Sequence, residues 1–230
     1  MKKGIRLIEK ANKEPIDDSE KESKKNRKRS NKEIYWIIGT MIIILGVMYL
    51  AQIIAAELRT FNYQGLTFTK EKFEKIPVFH YYYFFNNDGQ AYKYNLFLRE
   101  DPRKNIVPVE ENLIFSGERT IYLSINGTGL VQCGNSSREI ATITSFFVNN
   151  KFIVKVGTPD KMESEQKNFS HYSCETNPLN DVILIEKGDK TVIKKKGGCY
   201  IIDIANCELL NAIEKFEVQS IIDAKKRTSN

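Results

Sequence analysis

Two histidines and four cysteines are the residues of this chain whose side chains suit nucleophilic or metal chemistry. His171 precedes Cys174 by three residues, a spacing that fits half of a zinc site or an imidazole that activates a thiol. Further ligands would have to come from distant single residues, and residues 157–180 are polar and irregular. His80 lies within an aromatic strand pattern, where a packed side chain is more typical than a base. We therefore predict no catalytic residue, no metal site and no cofactor.

The rest of the sequence carries no motif of a known reaction. There is no Gly-x-Ser-x-Gly elbow, no glycine loop after a strand that would hold phosphate, and no Cys-x-x-Cys dithiol. One enzymatic alternative stays open, a thiol-dependent enzyme of the cell envelope that uses Cys174 with His171. It requires a free Cys174.

The cysteines instead predict two disulfides, because their number is even and all of them lie in the C-terminal half of the chain. The pattern of Tyr200–Ala205 predicts an extended strand, which would hold Cys199 and Cys207 about 20 Å apart, too far for a disulfide. Cys133 and Cys207 each follow a strand pattern and precede a helix pattern, whereas Cys174 and Cys199 each precede a strand. Each pair should share one sheet edge, which predicts Cys133–Cys207 and Cys174–Cys199.

Three glycosylation sequons begin at Asn126, Asn135 and Asn168. All three fall in predicted loops, which fits a glycosylated domain outside the cytoplasm. Such triplets are frequent in a chain rich in Asn and Ser, so they add little to the location.

A hairpin over residues 77–98 is the most unusual local feature. Residues 77–85 are aromatic and β-branched, Asp88-Gly89 is a strong turn signal, and residues 91–98 form the second strand pattern. Both faces of the first strand are apolar, so both could be covered in a core. The alternative is a platform for sugar or a protein-contact surface. The candidate binding residues are Phe79, Tyr81, Tyr83 and Phe85.

Residues 34–56 form one apolar run without charge. As a helix, this run would be about 35 Å long, enough to cross a bilayer. Six basic residues crowd positions 24–32, whereas only Arg59 follows the run closely. The positive-inside rule then predicts a single-pass membrane protein with a cytoplasmic N-terminus and an extracytoplasmic C-terminal domain.

The segment 1–33 is predicted to be a disordered basic cytoplasmic tail, because it lacks aromatic residues and is dense in Lys, Glu, Asn and Ser. It carries 12 Lys or Arg against 7 Asp or Glu, nearly all of the net charge of +6. The tail and the apolar run should therefore contact membrane lipid. The remaining chain is close to neutral, which argues against nucleic acid as a partner.

Residues 57–230 should form an extracytoplasmic domain of mixed α/β (α+β) class. Strand patterns occur at 120–125, 152–156, 182–186, 191–195 and 200–205. Helix patterns begin at Ser136, with Glu139 three residues on as a capping box, and near Cys207. We expect one mixed sheet with two or three helices and the hairpin as an extension near the membrane.

The stretch from Tyr94 to Arg103, together with Cys199-Tyr200, Asn206-Cys207-Glu208 and Glu214-Lys-Phe216, resembles uncharacterised single-pass membrane proteins of small-genome archaea. The likeness covers about residues 61–224. It implies an archaeal cell-envelope setting and assigns no activity and no catalytic residue.

These observations favour a membrane-anchored binding or structural domain that takes part in protein–protein assembly in the envelope. The partner would be another envelope protein or a second copy of the chain. A glycan-binding module that uses the 79–85 aromatics, and the thiol enzyme above, are the alternatives.

Overall fold

A computed structural model describes residues 16–116, 119–130, 132–134 and 136–229. The chain divides into two compact units, residues 1–58 and residues 59–230. The described part of the first unit is a helix, and that of the second is a mixed α+β domain with two sheets.

The first unit contains helix α1 (Ile16–Glu57). Its segment Lys32–Glu57 spans 26 residues and contains an 18-residue window with a mean hydropathy of 2.4, none of which is buried. By length and composition, this is a candidate membrane span. Large apolar side chains facing outward on all sides of a helix are costly in water and stable in lipid.

Helix α1 begins at Ile16, so its first residues lie within the segment 1–33 that the sequence predicts to be a disordered tail. Lys, Glu and Arg are good helix formers. A helix that already exists in the apolar segment can also extend without a new nucleation cost. Residues 1–15 of the predicted tail lie outside the described residues.

The second unit begins with an antiparallel sheet. Its strands are β1 (Thr60–Tyr63), β2 (Leu66–Phe73), β3 (Ile76–Asn87) and β4 (Gln90–Leu98), in that spatial order. The predicted hairpin is present as β3 and β4, joined at Asp88-Gly89, where both residues have positive φ as a tight hairpin turn requires. The sequence prediction missed β1 and β2, so the hairpin is half of a complete sheet.

A mixed sheet follows, built from β5 (Thr120–Ile125), β6 (Ile153–Gly157), β7 (Asp181–Lys187), β8 (Val192–Lys196) and β9 (Cys199–Ile204). The spatial order is β6-β5-β7-β9-β8. Strands β6, β5, β7 and β9 run parallel, and β8 pairs antiparallel with β9 at the edge. All five strands match the patterns in the sequence to within a residue or two.

The helices of this unit are α2 (Ser136–Asn149), α3 (Lys161–Lys167) and α4 (Leu209–Ser229). The short helix α3 lies in the stretch predicted to be irregular. Asp160 caps it, since its side chain accepts hydrogen bonds from the backbone N–H groups of Met162 and Glu163. Glu139 of the predicted capping box pairs instead with two arginines, described below.

Helices α2 and α4 lie between the two sheets. On one side, Tyr94 of β4 contacts Phe146 of α2, with ring centroids 5.7 Å apart. On the other side, Tyr200 of β9 contacts Phe216 of α4 at 6.1 Å. One continuous hydrophobic core therefore joins both sheets and both helices. Helix α4 is enclosed on nearly every side over residues 212–223.

Two disulfides tie the edges of the mixed sheet. Cys133 is joined to Cys207 with a Cα–Cα distance of 5.4 Å, and Cys174 to Cys199 with 5.5 Å. These are the two predicted pairs. The parallel direction of β5, β7 and β9 explains them, because the chain leaves all three strands at one edge and enters them at the other.

Candidate functional site

The outward face of the antiparallel sheet carries exposed aromatic side chains. Alternation along β3 directs Tyr82 and Phe84 outward, and they are 51% and 67% exposed. Phe97 of β4 pairs in register with His80 of β3 and is 53% exposed. We call this surface, formed by His80, Tyr82, Phe84 and Phe97, the outer aromatic face.

His80 is held in place from three sides. Its ring stacks on Phe97 with centroids 4.5 Å apart and planes 12° from parallel. Its Nδ1 lies 3.0 Å from a carboxylate oxygen of Glu71, and its Nε2 lies 3.2 Å from the side-chain oxygen of Asn95. These contacts connect β2, β3 and β4 across the face.

The other end of the face is arranged differently. The Lys93 ammonium lies 4.3 Å from the centre of the Tyr82 ring, a cation–π contact. Tyr82 and Phe84 meet edge to face at 86° and 6.0 Å. The outer rings therefore do not form one coplanar platform, since His80, Tyr82 and Phe97 each already share a ring face with a neighbour.

The residues that we predicted for binding occupy the opposite face. Phe79 is only 7% exposed, and Tyr81, Tyr83 and Phe85 also point to the helix side of the sheet. The Tyr83 hydroxyl donates a hydrogen bond of 2.5 Å to Asn150 at the end of α2, and burial raises the pKa of Tyr83. Both faces of β3 are apolar in sequence, so only the position of the helices distinguishes the core face from the open one.

Two buried carboxylates on α4, which the sequence prediction missed, lie on the helix side of this sheet. Glu214 accepts hydrogen bonds from the backbone N–H groups of Arg99 (2.6 Å) and Glu100 (3.0 Å). Burial nevertheless raises the pKa of Glu214 to about 7. Glu217 is 1% exposed, and among the described residues its Oε1 atom has no hydrogen-bond partner. Burial, and then the charge of Glu214, raise the pKa of Glu217 to about 8.

A third buried carboxylate, Glu139, has charged partners at one oxygen, whereas its Oε2 atom has no hydrogen-bond partner among the described residues. Glu139 of α2 accepts a hydrogen bond of 3.0 Å from the Arg99 guanidinium, and Arg138 approaches the same oxygen at 3.4 Å. A buried carboxylate is stable only with such partners. This contact links Arg99, directly after β4, to α2 and accounts for the acidic residue that resembled part of a capping box.

Both residues of the thiol hypothesis have other partners in the structure. Cys174 is bonded to Cys199, so it has no thiol to act as a nucleophile. The His171 imidazole lies 3.0 Å from the carbonyl oxygen of Pro159, where it anchors the loop beside β6. In this structure Cys174 therefore lacks the free thiol that the thiol-dependent alternative requires. Within the described ranges, no three His, Cys, Asp or Glu side chains gather as a metal site would require.

The sequons occupy different settings. The Asn126 side chain accepts a hydrogen bond from the Thr128 backbone N–H at 3.2 Å and is partly buried. Asn168 ends α3 with φ of 54° and is exposed. Asn135 lies outside the described residues. Asn168 is thus the more accessible of the two described acceptors.

Comparison of the chain with protein-family models, curated proteins and solved structures yields no match. The similarity to archaeal membrane proteins therefore stays a prediction from the sequence motifs. The function has to be inferred from the outer aromatic face and from the candidate membrane helix.

Proposed function

We propose that this chain is a membrane-anchored binding protein whose domain lies outside the cytoplasm and assembles with another protein through the outer aromatic face. The exposed rings of Tyr82, Phe84 and Phe97 carry this proposal. Aromatic side chains are enriched at the centres of protein interfaces, and charged ones are depleted there.

The membrane part of the proposal is supported by α1 and by the charge distribution. The apolar segment Lys32–Glu57 is long enough to span a bilayer, and basic residues crowd its N-terminal side. The two disulfides support an oxidising location for the domain, because the cytoplasm generally keeps thiols reduced. Both observations favour the same orientation.

The ring geometry favours a protein over a glycan as the partner. A sugar ring stacks best on an aromatic ring whose flat face is open. His80 and Phe97 cover one face of each other, and Lys93 lies over Tyr82. An irregular apolar surface with fixed polar groups such as Asn95 is suited to complementary side chains of a protein.

Site-specific photocrosslinking in intact membranes tests this proposal. A benzophenone amino acid would replace Phe84, and a matched control would replace Phe169, which is 56% exposed but lies outside the sheet. We expect a discrete protein adduct from position 84, absent from position 169, and lost when Tyr82→Ser and Phe97→Ser are added. Mass spectrometry identifies the adduct.

Two results would overturn the proposal. An adduct that contains polysaccharide and no protein would replace it with the glycan-binding alternative. No adduct from position 84, with the chain present in the membrane fraction, would show that the face is not a contact surface.

A further inference from the structure

The outer aromatic face carries two opposite charges, and their placement indicates what the partner is. Alternation and strand register direct four residues of β2, six of β3 and four of β4 to this side, with Thr60 and Asn62 of β1. Within these four strands, all of which the structure describes, Glu71 and Lys93 are the only Asp, Glu, Lys or Arg at outward positions. The other outward positions are apolar, aromatic or neutral.

The two charges are symmetric about the middle of the face. Glu71 lies on β2 opposite Val78, and Lys93 lies on β4 opposite Phe84. Val78 and Phe84 are separated by six positions on the central strand β3. The midpoint between the charges therefore falls on β3 between the outward side chains of His80 and Tyr82.

We propose that the partner is a second copy of this chain, packed face to face about a two-fold axis that passes through this midpoint. The proposal rests on the proposed function, since it names the partner of the same face. A two-fold axis that lies in the plane of the interface and runs across the strands brings Glu71 of each copy within side-chain reach of Lys93 of the other. The same axis sets His80 near Tyr82, and Val78 near Phe84.

The size of the face fits such a dimer. The four strands hold 4, 8, 12 and 9 residues. At about 3.3 Å per residue and about 4.8 Å between strands, they cover about 500 Å² per copy. Two copies would bury about 1,000 Å², which is the lower limit expected of a specific interface. Sheets that pack face to face through alternating side chains are a common arrangement, with strands within about 30° of each other. Attachment to one membrane would raise the effective concentration and so favour a weak dimer.

Exchanging the charges of Glu71 and Lys93 tests the proposed dimer. The experiment uses the full chain in lipid nanodiscs or proteoliposomes. Self-association would be measured by energy transfer between donor- and acceptor-labelled chains at increasing protein-to-lipid ratio. Glu71→Lys alone and Lys93→Glu alone each place two like-charge pairs in the dimer, so we expect about a tenfold weaker association. The double exchange restores two opposite-charge pairs and should return the association to within about threefold of the original.

Matched controls make the outcome decisive. Lys161→Glu and Glu165→Lys change the same charges on exposed positions of α3, away from the face, and should leave association unchanged. Hydrogen exchange of β3 and β4 checks that each variant is folded.

The possible failures are distinguishable from one another. A dimer that is insensitive to both single exchanges, or one that the double exchange does not rescue, overturns the two-fold arrangement. A monomeric chain whose face still crosslinks to a different protein overturns the second copy as partner but leaves the proposed function intact. A monomeric chain without any crosslink overturns both.

Discussion

Glu217 makes the folded domain sensitive to pH, and a substitution at this site tests the layered arrangement of the fold. The side chain projects from α4 toward the antiparallel sheet, where burial, and to a smaller extent the charge of Glu217, raises the pKa of Tyr83 of β3 and Tyr94 of β4. Glu214 is the nearest acid on the same helix. Burial is the main reason that the pKa of Glu217 is about 8 instead of 4.5.

The direction and size of the pH effect on folding stability follow from proton linkage. Between pH 4.5 and 8, the folded chain retains the Glu217 proton and the unfolded chain releases it, so this side chain alone lowers folding stability by about 1.4 kcal/mol for each pH unit. At pH 7 the loss relative to acidic solution is about 3 kcal/mol. Glu217→Gln keeps the shape of the side chain and removes the ionisation. It should therefore leave stability nearly unchanged at pH 4.5 and raise it by about 3 kcal/mol at pH 7.

Denaturant unfolding of the full chain in detergent, measured between pH 4.5 and 8.5, tests this prediction for the Glu217→Gln variant and the wild type. Trp36 is the single tryptophan and lies in α1, so near-ultraviolet circular dichroism of the tyrosines, or hydrogen exchange of β5 and β7, should report on the domain. Glu165→Gln, at an exposed site, is the control and should follow the wild-type curve. If the Glu217→Gln variant and the wild type gave parallel curves across this range, Glu217 would not be buried as an acid and the reasoning would fail.

Three further substitutions test the core, a tight backbone contact and a disulfide. Phe216→Ala removes a fully buried ring between the sheets and should cost about 3–5 kcal/mol in denaturant unfolding. Gly157→Ala would place a methyl group against the Ser170 carbonyl oxygen and should cost about 1–3 kcal/mol, whereas Gly134→Ala meets no atom within 4 Å and should be neutral by the same measurement. Cys207→Ser opens a 74-residue link and should cost about 2–4 kcal/mol relative to the oxidised chain, with equal stability once both are reduced.

Local patterns in the sequence were sufficient for most elements. Asp88-Gly89 is a turn signal between two aromatic strands, and the hairpin forms there because both turn residues adopt positive φ. The five strands of the mixed sheet are short apolar runs bounded by glycine and polar residues, so their limits depend on neighbours in sequence. The disulfide pairs followed from this order of strands, because strand direction sets which cysteines share an edge. Strands β1 and β2 were missed, since the charged stretch Lys70–Lys75 hides the alternation of Leu66 and Phe68.

The identity of the open face was decided only by the tertiary structure. Along β3, both sets of alternating side chains are apolar, so the two-residue period could not indicate which set meets the helices. Phe79 is buried in the core and Tyr83 bonds Asn150 directly after α2, whereas Tyr82 and Phe84 are left exposed.

The buried acids were decided in the same way. In sequence, Glu214 and Glu217 resemble the exposed acids of any helix. They are buried only because α4 lies between the mixed sheet and the antiparallel sheet. Sequence determines the period and direction of each element, because these depend on local backbone geometry. Which face becomes the core depends on contacts between residues that are distant in the chain, and those contacts form only when the layers assemble.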